Sequence, residues 1–157
     1  MNLTRPLANA SFQITLTAWV GSLWSIGYLV VPTLFYTLPD RMLAGEIAGH
    51  IFHVSGWAGL FLGGYLLCFL VIRQGRASVK TLSLWLTVLI LLLTAVSLFG
   101  IQPLMADMKV SVQPLDIMAS PLRERFAAWH GIASSLYLLQ SFLALGLLLR
   151  ASFGRPV

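Results

Sequence analysis

Charge is what this chain most lacks. Only 10% of its 157 residues are Asp, Glu, Lys or Arg, while 58% are hydrophobic; a soluble domain carries about 25% charge. So apolar a composition would not stay dispersed in water, which excludes a soluble enzyme or binding module. Cysteine is nearly absent: Cys68 stands alone, so there is no intrachain disulfide and no Cys-x-x-Cys pair for thiol redox chemistry. Cys68 reads as a small apolar packing residue. The chain also lacks a G-x-x-x-x-G-K loop, which excludes a P-loop nucleotide hydrolase. Ser134 and Ser135 lie one turn beyond His130, but neighbours on one helix do not make a triad. A non-enzymatic role is the expectation.

What the chain has instead is four stretches free of formal charge: Pro6–Pro39, Ile47–Ile72, Thr81–Ala106 and Phe126–Leu149. Each reaches the roughly 20 residues that, at 1.5 Å per residue, cross a hydrocarbon core of about 30 Å. Outer-membrane strands would show short segments alternating every second residue, and LTVLILLLTAVSLFGI does not alternate. An all-α polytopic membrane protein follows: one domain, a bundle of four transmembrane helices over about residues 12–36, 47–72, 81–102 and 126–150. Ala8-Asn9-Ala10 resembles a signal-peptide cleavage motif but precedes the apolar stretch rather than following it, so the first helix is expected to be retained.

An even number of spans puts both termini on one side, with the Arg73–Lys80 connection. That side carries Arg5, Arg73, Arg76, Lys80, Arg150 and Arg155 and no acid. The excess of Lys and Arg predicts the inner, cytoplasmic membrane with both termini in the cytoplasm. These cations border spans, so anionic lipid headgroups explain them, and nucleic acid is not expected as a partner. Asp40 after Pro39 predicts an N-cap for the second helix, running from about 41 to 72. Ser120-Pro121 predicts the same device for the fourth. Pro32 should open the end of the first helix by freeing the Tyr28 carbonyl.

The opposite side is chemically richer. His50, His53 and His130, all five acids, and Met42, Met105, Met108 and Met118 lie there. Within EIAGHIFHVSGW, at about 100° per residue, Glu46, His50, His53 and Trp57 fall in a roughly 60° sector of one helical face. In the fourth helix Arg123, Ala127, His130, Ser134, Tyr137 and Ser141 share a face. In the third, Ser83, Thr87, Thr94 and Ser97 do so, and in the second Gly49, Gly56 and Gly63 recur every seventh residue. A bundle with polar stripes turned inward and small residues at the helix contacts accounts for the hydroxyls and glycines. The segment from about Gln102 to Ser120, with turn signals at Pro103 and Pro114, is expected to lie partly on the headgroup layer, as a loop or a short interfacial helix, and to lid the histidine site.

The runs LTAWVGSLWSIGYLVVPTLFYTLPD, AGEIAGHIFHVSGWAG and RERFAAWHGIASSLY resemble an uncharacterised family of small four-helix membrane proteins, the one that includes transmembrane protein 205. Trp19, Gly21, Pro32, Phe35, Ala44, Gly45, Phe52, Arg125, Phe126 and His130 match its pattern. The resemblance implies the four-helix membrane fold and transfers no activity. The first helix also resembles, by analogy, copper-resistance D proteins and the haem-dependent protoporphyrinogen oxidase family.

Four readings compete. The first is a polar pocket on the outer side, lined by Glu46, His50, His53, Arg123, His130 and Tyr137, that binds or passes a small solute or ion. The second is a soft-metal site, copper above all, from His50-x-x-His53 and Met105-x-x-Met108, since imidazole with thioether suits monovalent copper. The third is haem held by His53 and His130 from facing helices in a redox protein. The fourth is a scaffold without ligand. Membrane lipids are the expected partners, and homo-oligomerisation stays open.

Overall fold

The computed structural model describes residues 4–113 and 115–153. Arg155 and Pro114 lie outside them, as does the side chain of Arg5. The described residues form helices and short connections, with no strand. These are α1 (Thr4–Ser25), α2 (Val31–Thr37), α3 (Arg41–Gln74), α4 (Leu82–Val96), α5 (Gln102–Ser111) and α6 (Arg123–Phe153). A wide π turn joins α1 to α2 over Ile26–Val30, and another joins α4 to α5 over Ser97–Ile101. Four rods result, at Pro6–Thr37, Arg41–Lys80, Leu82–Ser111 and Arg123–Phe153, each long and apolar enough to cross a membrane. The chain is an integral membrane protein built as a four-helix bundle.

The rods are longer than the predicted spans, the second most of all, and the third gains its extra length at one end. Helix continues through Pro103 to Ser111, so the connection shrinks to Val112–Leu122 with one 3-10 turn at Ile117–Ala119. Proline is tolerated at Pro103, inside the third rod, because the π turn at Ser97–Ile101 widens the helix just before it. Both π turns stand in one register to a proline, IGYLVVP ending at Pro32 and SLFGIQP at Pro103. A proline ring presses on the carbonyl four residues back and leaves it without a donor; those carbonyls belong to Tyr28 and Phe99. Widening the turn moves them aside.

One cap follows the sequence and one does not. Asp40 Oδ1 accepts from the Met42 and Leu43 amides at 2.8 and 3.1 Å and starts α3. Ser120 Oγ accepts from the Leu122 amide at 3.2 Å in a turn, and α6 itself begins at Arg123, two residues later than Ser120-Pro121 predicts. Gly75, with φ of 54°, ends α3 in the left-handed region that glycine alone occupies cheaply.

Each rod packs on its chain neighbours, and the fourth closes the ring on the first; second and fourth are diagonal. The end that carries Thr4, Phe153 and Gly75–Lys80 (the terminal end) is tightly joined. Gln13 Nε2 donates to the Ala151 carbonyl at 3.2 Å and Arg150 Nε to Ser83 Oγ at 3.2 Å. Above these ties lies an apolar plug of Phe12, Leu16, Trp19, Val20, Leu66, Leu70, Ile90, Ala144 and Leu147. Lipid tails are as apolar as leucine, so close packing rather than removal from water holds this plug together. Gly63 makes it possible: a Cβ there would stand 2.7 Å from both Leu91 Cδ2 and Trp19 Cη2. The far, distal half is looser. No residue of Ile26–Thr37 is buried, and α6 buries none before Gln140.

Candidate functional site

The predicted outer pocket is not what the distal half presents. Glu46, His50, His53 and Trp57 are all exposed, and His53 Nε2 accepts from Trp57 Nε1 at 3.3 Å along its own helix. The buried stripe of α3 is Ala44, Ala48, Gly59, Gly63, Leu66 and Leu70, roughly 160° around the helix from that face at about 100° per residue. Small residues let α3 approach its neighbours, so they turn inward and the histidines turn out. Depth explains why this is tolerated. About 20 residues back from Ile72 the hydrocarbon ends near Phe52 and His53, where water and headgroups solvate polar side chains.

The stripe of α6 divides in the same way. Arg123, Ala127, His130 and Ser134 are exposed, Tyr137 is half-buried and Ser141 is buried. The His130 ring stacks on Phe126 of its own helix, centroids 6.2 Å apart. His53 and His130 therefore sit on exposed faces of diagonal rods. Met105 is half-buried and Met108 buried; Met108 borders an open hollow of about 410 Å³ with Leu104, Asp107, Ser111, Leu122 and Arg125. Among the described residues no three or more His, Cys, Asp or Glu are grouped to hold a metal ion. Cys68 is exposed rather than packed inside.

Polar chemistry gathers deeper, in the bundle's centre. A cavity of about 50 Å³ is lined by Trp19, Ser22, Leu23, Phe52, Ser55, Gly56, Gly59, Thr94, Ser97, Gln102, Tyr137 and Gln140. All four rods contribute and no lining residue is charged. At roughly 10–15 Å³ each it has room for about three to five waters. Its floor is the indole of Trp19, 2% exposed, whose Nε1 would be 3.2 Å from a Cβ at Gly59; glycine at 59 leaves that edge clear.

The walls are fixed by hydrogen bonds. Thr94 Oγ1 donates to the Ile90 carbonyl at 2.8 Å, which leaves its oxygen to accept Gln140 Nε2 at 2.7 Å. Tyr137 donates to the Leu23 carbonyl at 2.6 Å, its ring lying over Gly27, where any Cβ would collide with it. Phe52 meets Tyr137 edge-on at 5.3 Å across the diagonal. Ser22 and Ser55 return their protons to the carbonyls of Trp19 and Phe52, at 2.8 and 3.0 Å, so each hydroxyl oxygen keeps acceptor capacity. Gln102, just after the second π turn, differs: its Oε1 is buried without a hydrogen-bond partner. A buried unpaired acceptor costs about 1–3 kcal/mol.

Lys109 stands seven residues beyond Gln102, on the same helical face two turns distal. Its Nζ donates to the Gly45 carbonyl at 3.1 Å and lies 5.6 Å from the Phe126 ring centroid. One ammonium thereby ties second, third and fourth rods above the cavity.

Of the residues named from sequence as site candidates, the structure places Tyr137 alone on the cavity wall. Gln102, Gln140, Ser55 and Trp19 as lining groups were missed. The overlooked signal was glutamine: an amide inside a charge-free run is also expensive in hydrocarbon, and titratable groups drew the attention instead.

No curated protein and no solved structure matches the chain. Residues 14–113, more than half of the sequence, match the family described as Domain of unknown function (DUF4149), and the chain belongs to that family.

Proposed function

We propose that this is a non-catalytic membrane protein that binds a small uncharged solute in the central cavity, through a polar group that donates a hydrogen bond to Gln102. The observation that carries this is that Gln102, a residue of the neutral cavity's lining, keeps its side-chain oxygen buried without a hydrogen-bond partner. A donor brought by the solute relieves the acceptor, and the Ser22 and Ser55 oxygens can accept in return. An ion is disfavoured because a wall without counter-charge does not repay desolvation. The reading keeps the expected solute pocket but moves it from the histidine rim to the core, and binding is favoured over passage because the apolar plug closes the terminal side. The distal end faces the outside in this proposal, on the charge argument above.

The test is thermal unfolding in lipid nanodiscs with increasing acetamide, whose four heavy atoms fit the volume. The melting temperature of the parent protein should rise with acetamide, and Gln102→Leu should lose that response while remaining folded. Equal shifts in parent and variant would remove the cavity as the site.

A further inference from the structure

The cavity opens sideways, within the distal half of the hydrocarbon. Its walls are buried or half-buried at every lining residue but Ser22, which is exposed. Ser22 lies on the side of α1 that also carries Ser11, whose hydroxyl meets that of Tyr65 in α3 at 2.8 Å. Ser22 therefore marks the seam between first and second rods. Depth follows from α3: Gly56 and Gly59, which line the cavity with Ser22, stand 16 and 13 residues from Ile72, about 24 and 20 Å at 1.5 Å each into a core of roughly 30 Å. Outside that opening there is acyl chain, not water. Below it the plug is closed, and above it Lys109 ties three rods together.

An occupant reaching the cavity by this route must satisfy two environments at once. Inside are neutral donors and acceptors in a space of about 50 Å³, enough for a hydroxyl or amide but not for a sugar or a phosphate with its counter-charge. Outside is hydrocarbon, so whatever projects through the seam is apolar. Building on the proposed solute site, we propose that its natural occupant is a single-chain amphiphile with an uncharged head, of the long-chain alcohol or monoacylglycerol class, admitted from the lipid at Ser22. The head donates to Gln102 and the chain leaves between first and second rods among the bilayer tails.

The experiment uses the full chain in nanodiscs and a long-chain alcohol carrying a photoreactive diazirine next to its hydroxyl. After irradiation, labelled peptides are mapped by mass spectrometry. Label is expected on the peptides of Trp19, Phe52 and Tyr137, competed by unlabelled alcohol but not by the matching alkane. Ser22→Trp, a substitution at an exposed position, should abolish it; Ser135→Trp, at an exposed position outside the cavity lining, should retain it. Label confined to lipid-facing residues, or undiminished cavity label in a folded Ser22→Trp protein, overturns the proposal. If Ser22→Trp does not fold, the alkane comparison decides, because competition as strong as the alcohol's overturns the polar-head assignment. Acetamide stabilisation without alcohol labelling would leave the solute site standing and reject lipid entry alone; loss of both would reject both.

Discussion

At Gly63 a hydrogen atom separates a packed plug from a broken one. Adding a methyl group there brings a Cβ against Trp19 and Leu91 together, and the Trp19 ring belongs to the buried plug. Gly63→Ala is expected to destabilise by about 1–3 kcal/mol, read by unfolding in mixed micelles. Gly49→Ala is its control, since nothing lies within 4 Å of that position, and it should be neutral or stabilising by up to about 1 kcal/mol. The seven-residue glycine spacing is visible in the sequence, but which member touches a neighbour is not. That depends on how α3 is rotated, and the Ala44–Gly59–Leu66 stripe sets the rotation. Asp40 was legible because a cap is a local bargain between one carboxylate and the amides two and three residues on. Asp40→Ala should cost about 1 kcal/mol in the same unfolding measurement. Trp19 could not be assigned to a cavity, because its role comes from residues some 40 positions away.

Among the elements, the two proline-linked π turns shape the cavity wall. The second presents Ser97 and Gln102 to the centre, and the first sets Gly27 beneath Tyr137. Pro103→Ala restores a donor for the Phe99 carbonyl and removes the ring that presses on it. Hydrogen exchange of the Gly100–Leu104 amides should slow in that variant; unchanged exchange would show that bundle packing, and not the proline, holds the turn wide. The four helices were readable from the charge-free runs because length and apolarity suffice for a span. Their ends were less so. Asp40 placed the start of α3 at Arg41, but helix runs on through Gln102–Ser111, where polar residues are as welcome as in a loop. The segment expected as a loop or short interfacial helix therefore extends the third rod instead.

For the molecule as a whole, packing density falls from one end to the other. The plug predicts that proteoliposomes pass glycerol and potassium no faster than protein-free vesicles, as followed by light scattering and an ion-sensitive dye. Faster flux would mean that Leu16, Leu66 and Leu147 part. Family membership accords with the motifs only at the level of an uncharacterised family, and nothing matched bears on transmembrane protein 205. The expected histidine pocket does not form, and the reason is geometric: polarity alone does not say which side of a helix faces its neighbours, because polar groups at the rim of a bilayer are solvated wherever they point. Rod length carries one more consequence. The 34 residues of α3 and the 31 of α6 measure about 51 and 46 Å, well beyond the hydrocarbon, so the protein can ride higher or lower, or tilt, in membranes of different thickness at little cost. On the proposed route of entry, the height of the Ser22 seam within the acyl region then varies with lipid chain length, and occupancy would vary with bilayer thickness.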